Sequence, residues 1–135
     1  MDAQASRVDH VAIAVRDLDS ALAFYRDVLG LPVGRVERVE TERVQVAFAG
    51  EEPGRVELVA PTDEGSPVAR FLARRGEGLH HLAVRVPSVA DALLALKARG
   101  AALLDEVPRP GAHGTRVAFV HPKTAHGVLL ELVET

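Results

Sequence analysis

The feature that most constrains the fold of this chain is an internal duplication. Residues 8–29, VDHVAIAVRDLDSALAFYRDVL, align to residues 79–100, LHHLAVRVPSVADALLALKARG, at a constant offset of 71. The same offset brings residues 46–48 onto residues 117–119, VAF in both copies. Three extra residues then enter the second copy, so that VELV at 56–59 aligns to LELV at 130–133 with an offset of 74. A repeat of this length predicts one supersecondary unit built twice.

Each copy has the pattern of a strand, a helix and three further strands. The first strand alternates, with His10 on one face and Val11 on the other. Asp17 and Ser88 stand at equivalent positions as helix N-caps, and Gly30 and Gly100 end the two helices. The apolar face of the first helix is predicted to comprise Ala21, Leu22, Tyr25, Val28 and Leu29.

The remaining strands are predicted near 33–40, 43–49 and 54–60 in the first copy, and near 102–107, 115–121 and 127–133 in the second. Ser66 and Pro67 begin a joining helix that ends at Gly76. The predicted fold class is therefore α+β, with two paired βαβββ modules forming a curved mixed sheet around a metal-binding cleft. Residues 1–135 are expected to form a single domain, with module one at about 7–61, the joining helix at about 66–76 and module two at about 78–134.

Composition excludes several classes of function. A net charge of −3 offers no broad basic surface for nucleic acid or for an anionic membrane. The chain has no cysteine, so disulfides, thiolate metal sites and cysteine nucleophiles are excluded. No apolar run approaches the roughly 20 residues of a membrane span, and the N-terminus has no apolar signal region. A cytoplasmic protein with a small-molecule ligand is the expectation.

Two adjacent histidines begin the first strand of the second copy, in GLHHLAVRV at 78–86. Side chains that are adjacent in a strand leave opposite faces of the sheet, so His80 and His81 are not expected to line one pocket. The duplication pairs His81 with His10 and leaves His80 opposite Asp9. His81 is therefore the candidate ligand, and His80 is interpreted as structural.

The duplication also pairs Glu57 with Glu131, each in an apolar strand. A lone buried histidine is usually a hydrogen-bonded core residue, and a lone strand glutamate often lies at an edge or faces solvent. Repetition favours a functional interpretation, because a shared divalent cation would compensate both carboxylates. Two imidazoles and two carboxylates suit Co²⁺, Mn²⁺, Ni²⁺, Zn²⁺ or Fe²⁺.

These residues resemble the vicinal oxygen chelate superfamily of paired βαβββ modules and, within it, the methylmalonyl-CoA epimerases. The resemblance covers nearly the whole chain and is carried by DHVAIAV, FYRDVLGL, VELVAP, SPVARFLARRGEGLHHLAVRV, GAHGTRVAFVHPK and GVLLELVE. It implies that His10, Glu57, His81 and Glu131 are the metal ligands, with Co²⁺ as the expected ion. It further implies an acyl-CoA substrate, a homodimer, and a reaction that moves one proton at the carbon between a thioester and a carboxylate.

The resemblance also suggests roles for individual residues. Glu131 is expected to be both a ligand and an acid/base group. Some family members carry a second acid/base glutamate on the third strand of the first module, where the alignment places Gln45, and an amide cannot act as a base. Either another group or a bound water then takes that role, or the chain catalyses a different reaction, and Gln45 is assigned to substrate binding. His113 in GAHG is expected to bind substrate or to replace the second base, and Lys123 in HPK to bind a substrate anion.

Three other functions remain open at this point. A glyoxalase I-type isomerase would use the same metal chemistry on a glutathione hemithioacetal. A ring-cleaving dioxygenase normally needs two histidines and one carboxylate, and the additional Glu57 argues against it. A metal-free module that sequesters a small antibiotic would not need the repeated His and Glu residues.

Overall fold

The first module contains one helix and four strands. The computed structural model describes residues 2–134. The elements of this module are β1 (Arg7–Ala14), α1 (Leu18–Leu22), a π-helical continuation of α1 (Ala23–Val28), β2 (Glu37–Val39), β3 (Val44–Ala49) and β4 (Arg55–Pro61). The helix α2 (Pro67–Arg75) then leads to the second module.

The second module repeats this order. Its elements are β5 (Gly78–Arg85), α3 (Val89–Ala98), β6 (Arg109–Pro110), a 3₁₀ turn (Ala112–Gly114), β7 (Arg116–Val120) and β8 (Leu130–Glu134). The predicted βαβββ pattern is thus confirmed in both copies.

The strands of each module form a mixed sheet. In the first module the strand order is β2-β3-β4-β1, and in the second it is β5-β8-β7-β6. The pairs β1 with β4 and β5 with β8 are parallel, whereas the other pairs within each module are antiparallel. Parallel strands need a crossover connection, which α1 and α3 begin. The predicted α+β class is confirmed.

Each helix covers one face of the sheet in its own module. Leu18 and Leu22 of α1 pack with Leu58 of β4, and Val89 and Leu93 of α3 pack with Leu132 of β8. Leu58 and Leu132 directly follow Glu57 and Glu131 in the chain. Because successive strand residues alternate between faces, the two glutamates leave the sheet on the side away from the helices.

The predicted helix caps are confirmed. Asp17 accepts a hydrogen bond from the backbone N–H of Ser20. Ser88 accepts one from the N–H of Asp91, and the fully buried Ser66 accepts one from Val68. These bonds satisfy amide groups that have no partner within the helix.

The first helix departs from its predicted regular form, because its second half is π-helical. The N–H of Leu29 bonds to the carbonyl of Phe24, five residues earlier. This wider turn rotates the following residues relative to an α-helix. Leu22 is buried as predicted, but Val28 and Leu29 are 72% and 54% exposed, so the prediction that they belong to the core face is wrong.

The predicted strands at 33–40 and 102–107 are also longer than the observed ones. Only Glu37–Val39 of the former is a strand, and Val33 makes an isolated bridge to Ala49. Leu103 makes an equivalent bridge to Val120, and the second edge strand instead lies at Arg109–Pro110. Pro108 and Pro110 lack backbone donors, which limits ladder pairing in this segment.

Contacts between Cα atoms divide the chain into two compact units. One contains residues 10–80, and the other contains residues 2–9 together with 81–134. The unit boundaries thus fall within β1 and β5 rather than at the predicted module edges, and the single-domain assignment stays a prediction. None of the helices in residues 2–134 combines the length and the apolar character that crossing a membrane requires.

Candidate functional site

His10 and Glu57 form a buried pair in the first module. In the parallel ladder of β1 and β4, Ala12 lies opposite Glu57. His10 is two residues from Ala12 and therefore shares the face of Glu57. His10 Nε2 lies 3.5 Å from Glu57 Oε1, and the two residues are only 4% and 6% exposed.

His81 and Glu131 form the equivalent pair in the second module. Ala83 lies opposite Glu131 in the parallel ladder of β5 and β8, so His81 and Glu131 leave the same face. His81 Nε2 lies 3.1 Å from Glu131 Oε1, and the residues are 6% and 5% exposed. The duplication predicted which residues correspond, and each module brings its own two together.

A phenylalanine ring packs edge-on against each of these histidines. Phe48 lies opposite Glu57 in the ladder of β3 and β4, and its ring centre is 5.1 Å from that of His10. Phe119 lies opposite Glu131, and its ring centre is 5.4 Å from that of His81. The interplanar angles of 83° and 86° are those of favourable edge-to-face contacts. These rings shield the imidazoles from water and restrict their orientation.

An arginine lies over each of the two phenylalanine rings. The guanidinium carbon of Arg55 is 4.3 Å from the ring centre of Phe48, and that of Arg109 is 5.1 Å from the ring centre of Phe119. Both are within range of a cation–π contact. An acidic neighbour holds each of them, since Glu52 contacts Arg55 at 3.2 Å and Asp105 contacts Arg109 at 3.3 Å.

The sequence analysis missed both arginines. They do not correspond in the duplication, because Arg55 lies on β4 whereas Arg109 lies on β6. For Arg55 a signal was present: it precedes Glu57 by two residues on one strand and so shares its face. For Arg109 no signal was available, because a two-residue edge strand shows no periodicity.

The donor chemistry of each pair fits a divalent cation. Imidazole nitrogen and carboxylate oxygen suit borderline to hard ions. Two neighbouring ligand atoms on an octahedral ion, each bound at about 2.1 Å, are about 3.0 Å apart. The observed nitrogen-to-oxygen separations of 3.5 and 3.1 Å are near this value. A buried carboxylate also needs a compensating cation, which such an ion would provide.

His80 lies on the opposite face of β5 from His81. Its ring packs edge-on against Phe71 of α2, with ring centres 4.9 Å apart. This placement agrees with the interpretation of His80 as structural.

Gln45 is not brought together with His10 and Glu57. In the antiparallel ladder Gln45 lies opposite Ala60, and Ala60 belongs to the core cluster beneath α1. The side chain of Gln45 therefore lies on the helix-covered face of the sheet, and it is exposed. The side chain of Val46, the next residue, lies on the same face as Glu57, and Val46 is 2% exposed. The strand register therefore separates Gln45 from the His–Glu face, and its role in substrate binding stays a prediction.

His113 and Lys123 both lie in turns of the second module. His113 is exposed in the turn between β6 and β7 and has a left-handed backbone with φ of 58°. Lys123 follows β7, is exposed, and donates its backbone N–H to Nδ1 of His121. The ladders that fix the His–Glu pairs do not include either residue.

Comparisons with known proteins agree with this arrangement. Residues 9–119 match the model of the Glyoxalase/Bleomycin resistance protein/Dioxygenase superfamily. An ethylmalonyl-CoA/methylmalonyl-CoA epimerase of Cereibacter sphaeroides is 42% identical over 128 residues, which cover 93% of this chain and 96% of that protein. The crystal structure of methylmalonyl-CoA epimerase from Mycobacterium tuberculosis is 38% identical, with a TM-score of 0.91, and the match covers 99% of this chain and 91% of that one.

A third similar protein has been solved with a ligand. It is a variant of Streptomyces coelicolor methylmalonyl-CoA epimerase in complex with 2-nitronate-propionyl-CoA. It is 37% identical, with a TM-score of 0.91, and the match covers 96% of this chain and 94% of that one. By the match of its family model and by these relatives, the chain belongs to the Glyoxalase/Bleomycin resistance protein/Dioxygenase superfamily, which is the vicinal oxygen chelate superfamily that its sequence resembles.

Proposed function

We propose that this chain is an epimerase that interconverts (2R)- and (2S)-methylmalonyl-CoA by a 1,1-proton transfer. The observation that carries the proposal is the buried His–Glu pair repeated on equivalent strands of both modules. The similar proteins from C. sphaeroides and M. tuberculosis, both methylmalonyl-CoA epimerases, support this choice of substrate. A shielded pair of this kind has no evident use in a purely structural sheet, because buried charges are costly.

In this proposal His10, Glu57, His81 and Glu131 together hold one divalent cation. Their nitrogen and oxygen donors suit Co²⁺, which we take as the expected ion, and also Mn²⁺, Ni²⁺ and Zn²⁺. When bound, such an ion stabilises negative charge that develops on a substrate oxygen. Phe48 and Phe119 exclude water from the histidines, which strengthens electrostatic interactions there.

Glu131 is proposed to exchange a proton with the substrate carbon as well as to bind the ion. Besides His81, apolar residues share its face of the sheet, where Ala83, Val117 and Val133 form a buried cluster. Lys123 is proposed to bind the free carboxylate or a phosphate of coenzyme A, and His113 to bind the substrate or to take part in proton transfer. A homodimer in the cytoplasm stays a prediction.

The test is NMR of methylmalonyl-CoA in D₂O with the Co²⁺-loaded protein. We expect the α-proton to exchange for deuterium, and Glu131→Gln to slow the exchange of one stereoisomer by about 100-fold or more even at saturating metal. Metal content, measured separately, reports on the ligand role of Glu131. Glu106→Gln is the matched control, because Glu106 is exposed and pairs with Lys97 at 3.0 Å.

The alternatives give different results in the same experiments. Turnover of a glutathione hemithioacetal without α-proton exchange would contradict the epimerase proposal and favour a glyoxalase I-type isomerase. Failure to bind any divalent ion would contradict the metal site and favour a metal-free binding module.

A further inference from the structure

A 1,1-proton transfer with inversion requires two acid/base groups. One group removes the proton from one side of the planar enolate, and the other returns a proton to the opposite side. Glu131 supplies one of them in the proposed function. The expected second carboxylate on β3 is absent, because position 45 is a glutamine that leaves the wrong face of the sheet.

The strand register shows which polar residues of the first module share the face of Glu57. The ladders place on this face residues that are mostly apolar: Ala12 and Ala14 of β1, Val44, Val46 and Phe48 of β3, and Val59 of β4. Besides His10 and Glu57, the ladder residues with ionisable side chains on this face are Arg55 and Glu37. Glu37 is therefore the one carboxylate in these ladders that the metal site does not use.

The position of Glu37 follows from the pairing of β2 with β3. Glu37 lies directly opposite Val46, and Val39 lies opposite Val44. Val46 is two residues from Phe48, which lies opposite Glu57, so Glu37 shares the face of Glu57. Glu37 is half-buried and Val39 is 6% exposed, whereas the intervening Arg38 is exposed and pairs with Glu40 at 2.9 Å.

The separation of Glu37 and Glu57 suits a substrate held between them. The two residues lie on strands that are two positions apart in the sheet, and they are offset by two residues along the strands. With strands about 4.8 Å apart and about 3.4 Å per residue, their Cα atoms are roughly 12 Å apart. That distance leaves room for a small acyl group beside the ligand Glu57.

We propose that Glu37 is the second acid/base residue of the reaction, supplied by β2 in place of a carboxylate on β3. This inference rests on the proposed function. For one stereoisomer, the carboxylate of Glu37 takes the α-proton, and the electron pair of the broken C–H bond moves into the thioester carbonyl to give an enolate. Glu131, in its acid form, then donates a proton to the opposite face of that carbon. For the other stereoisomer the two residues exchange roles, and no oxidation or reduction occurs.

The experiment follows each stereoisomer separately in D₂O with Glu37→Gln. We expect epimerisation to fall by about 100-fold or more, the loss typical of a missing acid/base group. We further expect one stereoisomer to keep exchanging its α-proton without inversion, because Glu131 still acts on its side. Co²⁺ affinity and the thermal midpoint should be unchanged. If Glu37 had only a structural role, its substitution would slow α-proton exchange and inversion together for both stereoisomers.

Two variants complete the design. Glu40→Gln is the matched control, since Glu40 lies three residues away and is exposed, and it should epimerise at the wild-type rate. Glu37→Asp keeps the carboxylate and should retain an intermediate rate. The inference is overturned if Glu37→Gln epimerises within about threefold of the wild type, or if both stereoisomers lose exchange equally while Co²⁺ affinity is retained. If the wild type itself shows no exchange, the proposed function fails first and the inference falls with it.

Discussion

We predict that the edge-on contact of Phe119 with His81 contributes measurably to the affinity for the metal ion. Phe119 is 4% exposed, and its ring stands at 86° to the imidazole. Phe119→Leu keeps an apolar side chain but removes the ring that restricts the imidazole. A histidine that is free to turn must be ordered when it binds the ion, and immobilising one side chain costs about 0.5–1.5 kcal/mol of binding free energy.

The expected result is weaker binding of Co²⁺, that is, a larger dissociation constant. A loss of about 0.5–1.5 kcal/mol corresponds to roughly a 2- to 12-fold increase in Kd. Isothermal titration of the metal-free protein with Co²⁺ measures this directly. The number of Co²⁺ ions bound per chain should stay the same, since none of the proposed ligands is altered.

The chain offers a closely matched control for this substitution. Phe71 packs edge-on against His80, the neighbouring histidine on the other face of β5, with ring centres 4.9 Å apart. Phe71→Leu should leave the Kd for Co²⁺ unchanged, because His80 is not a proposed ligand. The reasoning is refuted if Phe119→Leu binds Co²⁺ as tightly as the wild type, or if the two variants weaken binding to the same extent.

Two further predictions concern stability. Asp9→Asn removes the carboxylate that pairs with Arg85, and the side chains of Asp9 and Arg85 are only 3% and 16% exposed. The free energy of unfolding, measured in urea, should therefore fall by about 3 kcal/mol, because Arg85 is left without its buried counter-charge. A loss below about 1 kcal/mol would contradict this. Hydrogen bonds from the hydroxyl and N–H of Ser20 hold the pKa of Asp17 below its ordinary 3.8, so its contribution is present above pH 3.8 and is lost as the pH falls through the lowered pKa. Urea unfolding at a series of pH values should therefore show that Asp17→Asn loses less unfolding free energy in acid than the wild type does. The same dependence of unfolding free energy on pH in both proteins would refute the lowered pKa of Asp17.

The sequence predicted the strands that carry the two His–Glu pairs, because a long alternating strand defines which of its side chains share a face. In β1 and β5, eight residues each define which side chains share a face, and the duplication then identifies corresponding positions. His10 and His81 followed from this pattern, as did the separation of His81 from His80. Glu57 and Glu131 followed from the second aligned segment, in which a leucine of the helix-covered core comes directly after each glutamate.

The short edge strands could not be predicted in the same way. β2 has three residues and β6 has two, and a shift of one residue reverses the face of every side chain. Whether Glu37 or Arg38 shares the face of His10 and Glu57 depends on pairing with β3, which the sequence pattern does not specify. The assignment of Gln45 to substrate binding stays a prediction; it rested on an alignment, and the observed register places the neighbouring Val46, not Gln45, on the face of Glu57.

The π-helical turn at the end of α1 has a simple arithmetic origin. Twelve residues separate Asp17 from Gly30, whereas eleven separate Ser88 from Gly100. The wide turn takes up this extra residue within the helix, and the offset of 71 is regained before the aligned VAF segments. The extra residue is thus accommodated where the helix can bulge toward solvent, and the spacing from β1 to β3 remains equal to the spacing from β5 to β7.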